Sequence, residues 1–192
     1  KEIQNLISLK NGTIKTNYKK DYLEIYLDSG YAFLNKNYQN NINDKITAKI
    51  IKIKDKSLTV KANVKNEYNS INSKELSKYF KNINRFIKDQ NLRFGSSNKI
   101  NLVINKKNKV KNLKIKSKLN LDEILINYDV SSIKKILPDY KNSLKLKTNI
   151  IEIDYSKNNL KINSRGLYSI NSKYDKFDFD LIKNKNTFNF NS

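Results

Sequence analysis

The sequence predicts a mainly β protein, an elongated antiparallel meander that forms an open sheet with one apolar and one polar face. Three observations predict it. The first is a two-residue alternation, as in Leu58, Val60, Ala62 and Val64 set against Thr59, Lys61 and Asn63. Side chains on a strand point to opposite faces in turn, so such a stretch has one apolar side. The second is spacing: short apolar-alternating runs recur, joined by turns of Asn, Asp, Ser and Lys with few helical stretches between them. Strands in such succession pair as hairpins into an antiparallel sheet. The third is the chemistry of the polar positions, mostly Lys and Asn, which suit water and not a second packed layer.

Taken in order, Thr13 to Tyr18 and Tyr22 to Leu27 read as the first strands, joined at Lys19-Lys20. Ser29-Gly30 is expected to break the second, with Tyr31, Phe33 and Leu34 resuming an apolar edge before a loop over Asn35 to Asn43. Ile46 to Ile53 follows, and its phase slips at Ile50-Ile51, where a bulge is the expected repair. Asp55-Lys56 turns the chain into Leu58 to Val64. The period then changes. Leu76, Tyr79, Phe80, Ile83, Phe86 and Ile87 fall at three- and four-residue spacings, which predicts one amphipathic helix near 73–90, capped by Asn72 or Ser73 with Glu75 in its first turn. Beyond it strands return at Ile100 to Ile104, Leu113 to Leu121 and Ile124 to Tyr128. A short helical turn is expected near 131–137, stopped by Pro138. Leu144 to Leu146, Ile150 to Tyr155, Leu160 to Ile162, Tyr168 to Ile170, Tyr174 to Ile182 and Phe188 to Phe190 complete the series. The whole, 1–192, reads as a single segment of a longer β-groove protein: strands over 1–70, a helix within 71–95, strands over 99–192.

A net charge of +21 suggests nucleic acid. Against that, the only arginines are Arg85, Arg93 and Arg165, and Arg is the side chain suited to bidentate phosphate and base contacts. The lysines are spread along every strand, and the aromatic residues that interleave with them share the apolar phase with Ile and Leu. No specific nucleic-acid partner is expected. A basic surface near anionic headgroups remains a weaker reading.

Catalysis is not expected either. The chain has no His and no Cys, which removes the commonest general base and thiolate chemistry. Its glycines are isolated, so no phosphate-cradling loop exists. Glu152 with Asp154, and Asp175, Asp178 and Asp180, alternate on polar strand faces. They read as solvated carboxylates pairing with lysines, not as a cation site. No metal and no cofactor is expected.

The second half carries a resemblance. Val-Lys-Asn-Leu-Lys-Ile-Lys-Ser-Lys-Leu-Asn-Leu from Val110, Ile-Leu-Pro at Ile136 to Pro138, the run from Ile151 to Gly166, and Tyr-Asp-Lys-Phe-Asp-Phe-Asp-Leu from Tyr174 resemble the AsmA-like superfamily of bacterial envelope proteins, of the YhdP and TamB type. The resemblance implies a taco-like β-groove, with strand pairs ending in a Gly-bearing turn as at Gly166. It also implies a periplasmic location on the inner membrane, reached through an anchor outside this segment, and conduction of phospholipid acyl chains along the apolar side. The expected groove lining is Leu113, Ile115, Ile151, Ile153, Tyr155, Leu160, Ile162, Phe177, Phe179, Phe188 and Phe190, with Ser156 to Asn159 as a hairpin turn. Two other readings stay open: a structural or adhesive β module with a closed core, and a basic nucleic-acid-binding domain.

Overall fold

The computed structural model describes residues 7–33, 44–54, 56–74, 86–87, 90–127, 143–170, 173–184 and 187–191. They form one open sheet of ten strands in sequential order, each antiparallel to the one before. The strands are β1 (Ile7–Lys19), β2 (Tyr22–Phe33), β3 (Lys45–Ile53), β4 (Leu58–Asn72), β5 (Asn91–Ile104), β6 (Val110–Asn127), β7 (Ser143–Ser156), β8 (Asn159–Ser169), β9 (Asp175–Lys183) and β10 (Phe188–Asn191). The main contacts between elements link only successive strands. The sheet is mainly β and unclosed, as the alternation predicts.

The strands are longer than the sequence suggests because apolar runs of opposite phase join through bulges. Register shifts fall at Lys10/Thr13 on β1, Asn66/Asn69 on β4, Asn101/Val103 opposite β6, and Lys147/Ile150 on β7. Each coincides with a residue of positive φ: Asn11 (50°), Tyr68 (46°), Asn112 (53°) and Thr148 (49°). An extra residue in one strand moves every later side chain to the other face. On β4 the even-numbered apolar set Leu58 to Val64 therefore hands over to Ile71, which pairs with Leu92. On β7 the phase passes from Leu144 and Leu146 to Ile151, Ile153 and Tyr155 across Thr148. On β6, Ile124 packs with Leu92, Ile126 and Leu146.

Several expectations are corrected. Ser29-Gly30 does not break β2; Ser29 is buried inside the strand and its hydroxyl donates to the Lys10 carbonyl at 3.1 Å. No bulge forms at Ile50-Ile51. Ile50 pairs with Ile25 and Val60 on the apolar side, while Ile51 lies between Glu24 and Thr59 on the polar side, in unbroken register with both neighbours. Gly166 is not in a turn but inside β8, paired with Phe177.

The amphipathic helix near 73–90 is not borne out. Among the described residues of that span only Ser73 and Lys74 have helical geometry, Phe86 and Ile87 lie in a turn and bend, and 75–85 and 88–89 fall outside the described residues. What the sequence pattern missed is that the two ends of the segment close on each other. The Ser73 amide donates to the Gln90 carbonyl at 2.9 Å, and the Gln90 amide donates to the Ser73 hydroxyl at 3.1 Å. The Gln90 side chain then bridges the amide and carbonyl of Leu125. Apolar spacing of Phe86 and Ile87 is used in part by Ile87, which is buried with Leu92 and Ile124. The short helical turn expected near 131–137 lies outside the described residues.

Gly166 is required by its neighbour. Asn149, 1% exposed at the β7 bulge, has no hydrogen-bond partner for either side-chain polar atom, and its amide oxygen occupies the space a Cβ on Gly166 would fill. Gly166→Ala is expected to destabilise the sheet by about 1–3 kcal/mol through overpacking. In an Asn149→Ala background at least half of that cost should vanish, read as a double-mutant cycle from urea unfolding. An undiminished cost in the double variant contradicts this account of the glycine.

Candidate functional site, an apolar sheet face

Residues directly opposite one another in register share a face. Tracing the pairs Ile25↔Ile50↔Val60↔Leu102, Ile100↔Ile115↔Tyr155↔Leu160 and Ile162↔Leu181↔Phe190 across the sheet gives one face that is apolar from β2 to β10. On β1, Ile14 pairs with Leu27 and Tyr18 with Leu23, which extends the face to the other edge.

The structure brings all the sequence-predicted lining residues onto this face. Ile153 pairs with Ile162 and Tyr155 with Leu160 around a turn at 157–158. Ile115 pairs with Tyr155, and Leu113 precedes it in the same phase. Gly166 pairs with Phe177 and Ser164 with Phe179. The aromatic rings form a row: Tyr168 meets Phe177 edge-on at 6.4 Å, Phe177 stacks on Phe179 at 6.2 Å, and Phe179 on Phe190 at 5.8 Å. Such pairs favour this offset geometry through their quadrupoles.

This face is only half-buried. Among the described residues the fully buried hydrophobic side chains are Tyr31, Ile87, Leu92 and Ile124, while Ile14, Tyr18, Phe188 and Phe190 are more than half exposed. Most lining side chains are shielded by their lateral neighbours on the same face.

Sequence reasoning missed a polar chain that crosses the apolar face at β4 to β6. Ser96 donates to the Asn66 amide oxygen at 2.7 Å, Asn98 to the Ser96 hydroxyl at 3.0 Å, and Ser117 to the Asn98 amide oxygen at 2.6 Å. Each of these residues stands in the apolar phase of its strand, so the breaks in alternation at Asn66, Ser96, Asn98 and Ser117 were the available signal. The chain satisfies itself, which spares the face most of the cost of burying these groups.

The opposite face is polar and basic, and among the described residues a minority of its lysines meet carboxylates across strands. Lys116 meets Asp154 and Lys118 meets Glu152, each at 3.0 Å, and Lys45 lies 3.2 Å from Asp28. Asp178 and Asp180 accept from Asn163. Exposed pairs of this kind each contribute little. Two hollows open on this side, one of about 860 Å³ over β1 to β4 and one of about 620 Å³ over β5 to β9.

Glu24 on this face is buried, 7% exposed, in register with Ile51. Its carboxylate pairs with Lys49 and accepts from the Tyr26 hydroxyl at 2.6 Å, while Lys49 also donates to that hydroxyl at 2.7 Å and lies over the ring at 4.8 Å. The hydrogen bonds from Lys49 and then Tyr26 hold the Glu24 carboxyl below its usual range, and the bond to Glu24 raises the Lys49 ammonium above its own.

Among the described residues no group of His, Cys, Asp and Glu could hold a metal ion, and no helix is long and apolar enough to cross a membrane. None of the family models, curated proteins or solved structures compared with the chain gives a match.

The Glu24 network yields a pH dependence. A carboxyl lowered in the native state adds stability that is present above its ordinary value of 4.5 and is lost as pH falls through the lowered one. For Lys49 the sign is opposite: its contribution is present below 10.5 and is lost as pH rises through the raised native value. The urea midpoint of the wild type should therefore exceed that of Glu24→Gln at pH 7, with the gap narrowing as pH falls below 4.5. A gap that persists unchanged at pH 3 contradicts the ionic account.

Proposed function

We propose that this chain is a segment of an envelope protein that shields or conducts phospholipid acyl chains along its apolar sheet face. The observation that carries the reading is the continuity of that face. It runs across all ten strands, is lined by Ile, Leu, Phe and Tyr, and lies half-open with no strand layer packed on it among the described residues. A contiguous apolar surface of this kind marks an interaction site for a partner or lipid. Each methylene of an acyl chain laid on it is stabilised by about 0.8 kcal/mol. The face is also suited to acyl chains and not to a specific polar ligand, since its one polar chain is hydrogen-bonded within itself.

The resemblance of Val110 to Leu121, Ile151 to Gly166 and Tyr174 to Leu181 to the AsmA-like superfamily supports the same reading. It carries with it a periplasmic setting on the inner membrane, with the anchor outside this segment. In this reading the protein supplies a continuous apolar track and a solvated outer side, and performs no covalent chemistry.

The rival is a β module whose apolar face is closed dry by its own chain. A photo-crosslinking residue at Ile153 or Phe179 separates the two when the full-length protein is irradiated in membranes. The lipid reading expects phospholipid adducts from both positions and none from Lys161 on the opposite face. Lysine at Ile153 should abolish capture at Phe179 in protein that remains folded by circular dichroism, since an unpaired charge on an apolar track costs several kcal/mol. Equal labelling from both faces, or none from either, rules the proposal out.

A further inference from the structure

The two hollows of the polar face differ in charge balance. The one over β5 to β9 sets Lys99, Lys116, Lys118 and Lys161 against Glu152, Asp154 and Asp180. The one over β1 to β4 sets Lys15, Lys45, Lys49 and Lys61 against Asp28 alone. Asp28 is already paired with Lys45, and Glu24 below the hollow is paired with Lys49. Among the described residues neither Lys15 nor Lys61 has a carboxylate within ion-pair distance.

Register makes the imbalance sharper. Lys15, Tyr26, Lys49 and Lys61 form one row straight across β1 to β4, so Lys61 stands directly opposite Lys49. Lys45 stands directly opposite Lys65 in the same pair of strands. Like charges in such positions repel. A bound anion relieves that repulsion, and the wall offers neutral donors beside the lysines in Thr13, Thr47 and Asn63.

We propose that the hollow over β1 to β4 is a binding site for phosphoryl oxyanions, and for a linked series of them and not a single phosphate. Lys15 and Lys61 stand three strand spacings apart, about 14 Å between backbones. A hollow of about 860 Å³ also exceeds what one phosphate fills. Lysine recognises phosphate as a point charge without reading its substituents, so the site selects charge and spacing. It lies on the face opposite the apolar track and does not depend on the lipid reading.

The test titrates inorganic tripolyphosphate into the folded chain and into two charge-matched double variants. Lys15→Gln with Lys61→Gln should weaken binding at least tenfold and lower the slope of log affinity against log salt by about two. Lys118→Gln with Lys161→Gln, in the other hollow, should stay within twofold of wild type. Phosphatidylcholine vesicles with and without phosphatidylglycerol identify the source. The same Lys15 and Lys61 dependence on the anionic vesicles assigns the phosphoryl groups to lipid headgroups, and its appearance with tripolyphosphate alone assigns them to a soluble polyanion. Equal weakening by both double variants, no binding of either probe, or tighter binding of a single-stranded oligonucleotide that needs both lysine pairs overturns the proposal.

Discussion

The whole structure depends on one constraint: neighbouring strands must stay in a register that puts their apolar side chains on the same face. With a side-chain period of two, a slip of a single residue turns an apolar strand face into a polar one. Ten strands in sequential order must each meet this condition with the strand before and the strand after. The sequence does not meet it with uniform alternation. It meets it with bulges at Asn11, Tyr68, Asn112 and Thr148, each of which re-phases a strand whose two halves alternate out of step. Three of these four are Asn or Thr and one is Tyr, so the positive φ is not supplied by glycine. On β4 and β7 the strain of that backbone is offset by keeping Ile71 and Leu146 on the apolar side.

From that constraint the two faces take their separate characters. On one, aliphatic and aromatic side chains support one another laterally and bury few of their number fully. On the other, lysines and carboxylates of neighbouring strands meet across the register, as in Lys116 with Asp154 and Lys118 with Glu152. Where two lysines fall opposite, as Lys49 and Lys61 do, the register itself creates the excess charge. Glu24 shows the local remedy, a buried carboxylate shared by Lys49 and Tyr26. Sheet geometry thus sets both the continuous apolar side and the place of the excess positive charge.

Much of this was legible in the sequence. The alternation of Leu58 to Val64, Ile151 to Tyr155 and Phe177 to Leu181 carries the fold class and the shared face directly. The strand ends were not legible, because breaks in phase at Asp122-Glu123 and Lys147-Thr148 look like turns but lie within β6 and β7, the second of them at the Thr148 bulge. The opposite error occurred at Ile50-Ile51, where two adjacent isoleucines suggest a slip but one of them stands beside Glu24 on the polar side. Glycine signals misled twice, at Gly30 and Gly166, since both sit within strands for close approach: to the Lys10 carbonyl for Gly30, to Asn149 for Gly166. The apolar spacing from Leu76 to Ile87 suggests a helix, yet the described ends of that segment are joined by hydrogen bonds between Ser73 and Gln90. The polar chain from Asn66 to Ser117 showed in the sequence only as breaks in alternation, since its bonds depend on which residues stand beside one another.

The central claim is that lipid is the natural cover of the apolar face. Native mass spectrometry of the intact protein, purified from membranes in a mild detergent, tests it most directly. The account predicts bound phospholipid that survives purification and is lost when Ile153 and Phe179 carry charge in folded protein. A lipid-free protein of unchanged stability, with the amides of β6 to β9 fully protected from exchange, would contradict it.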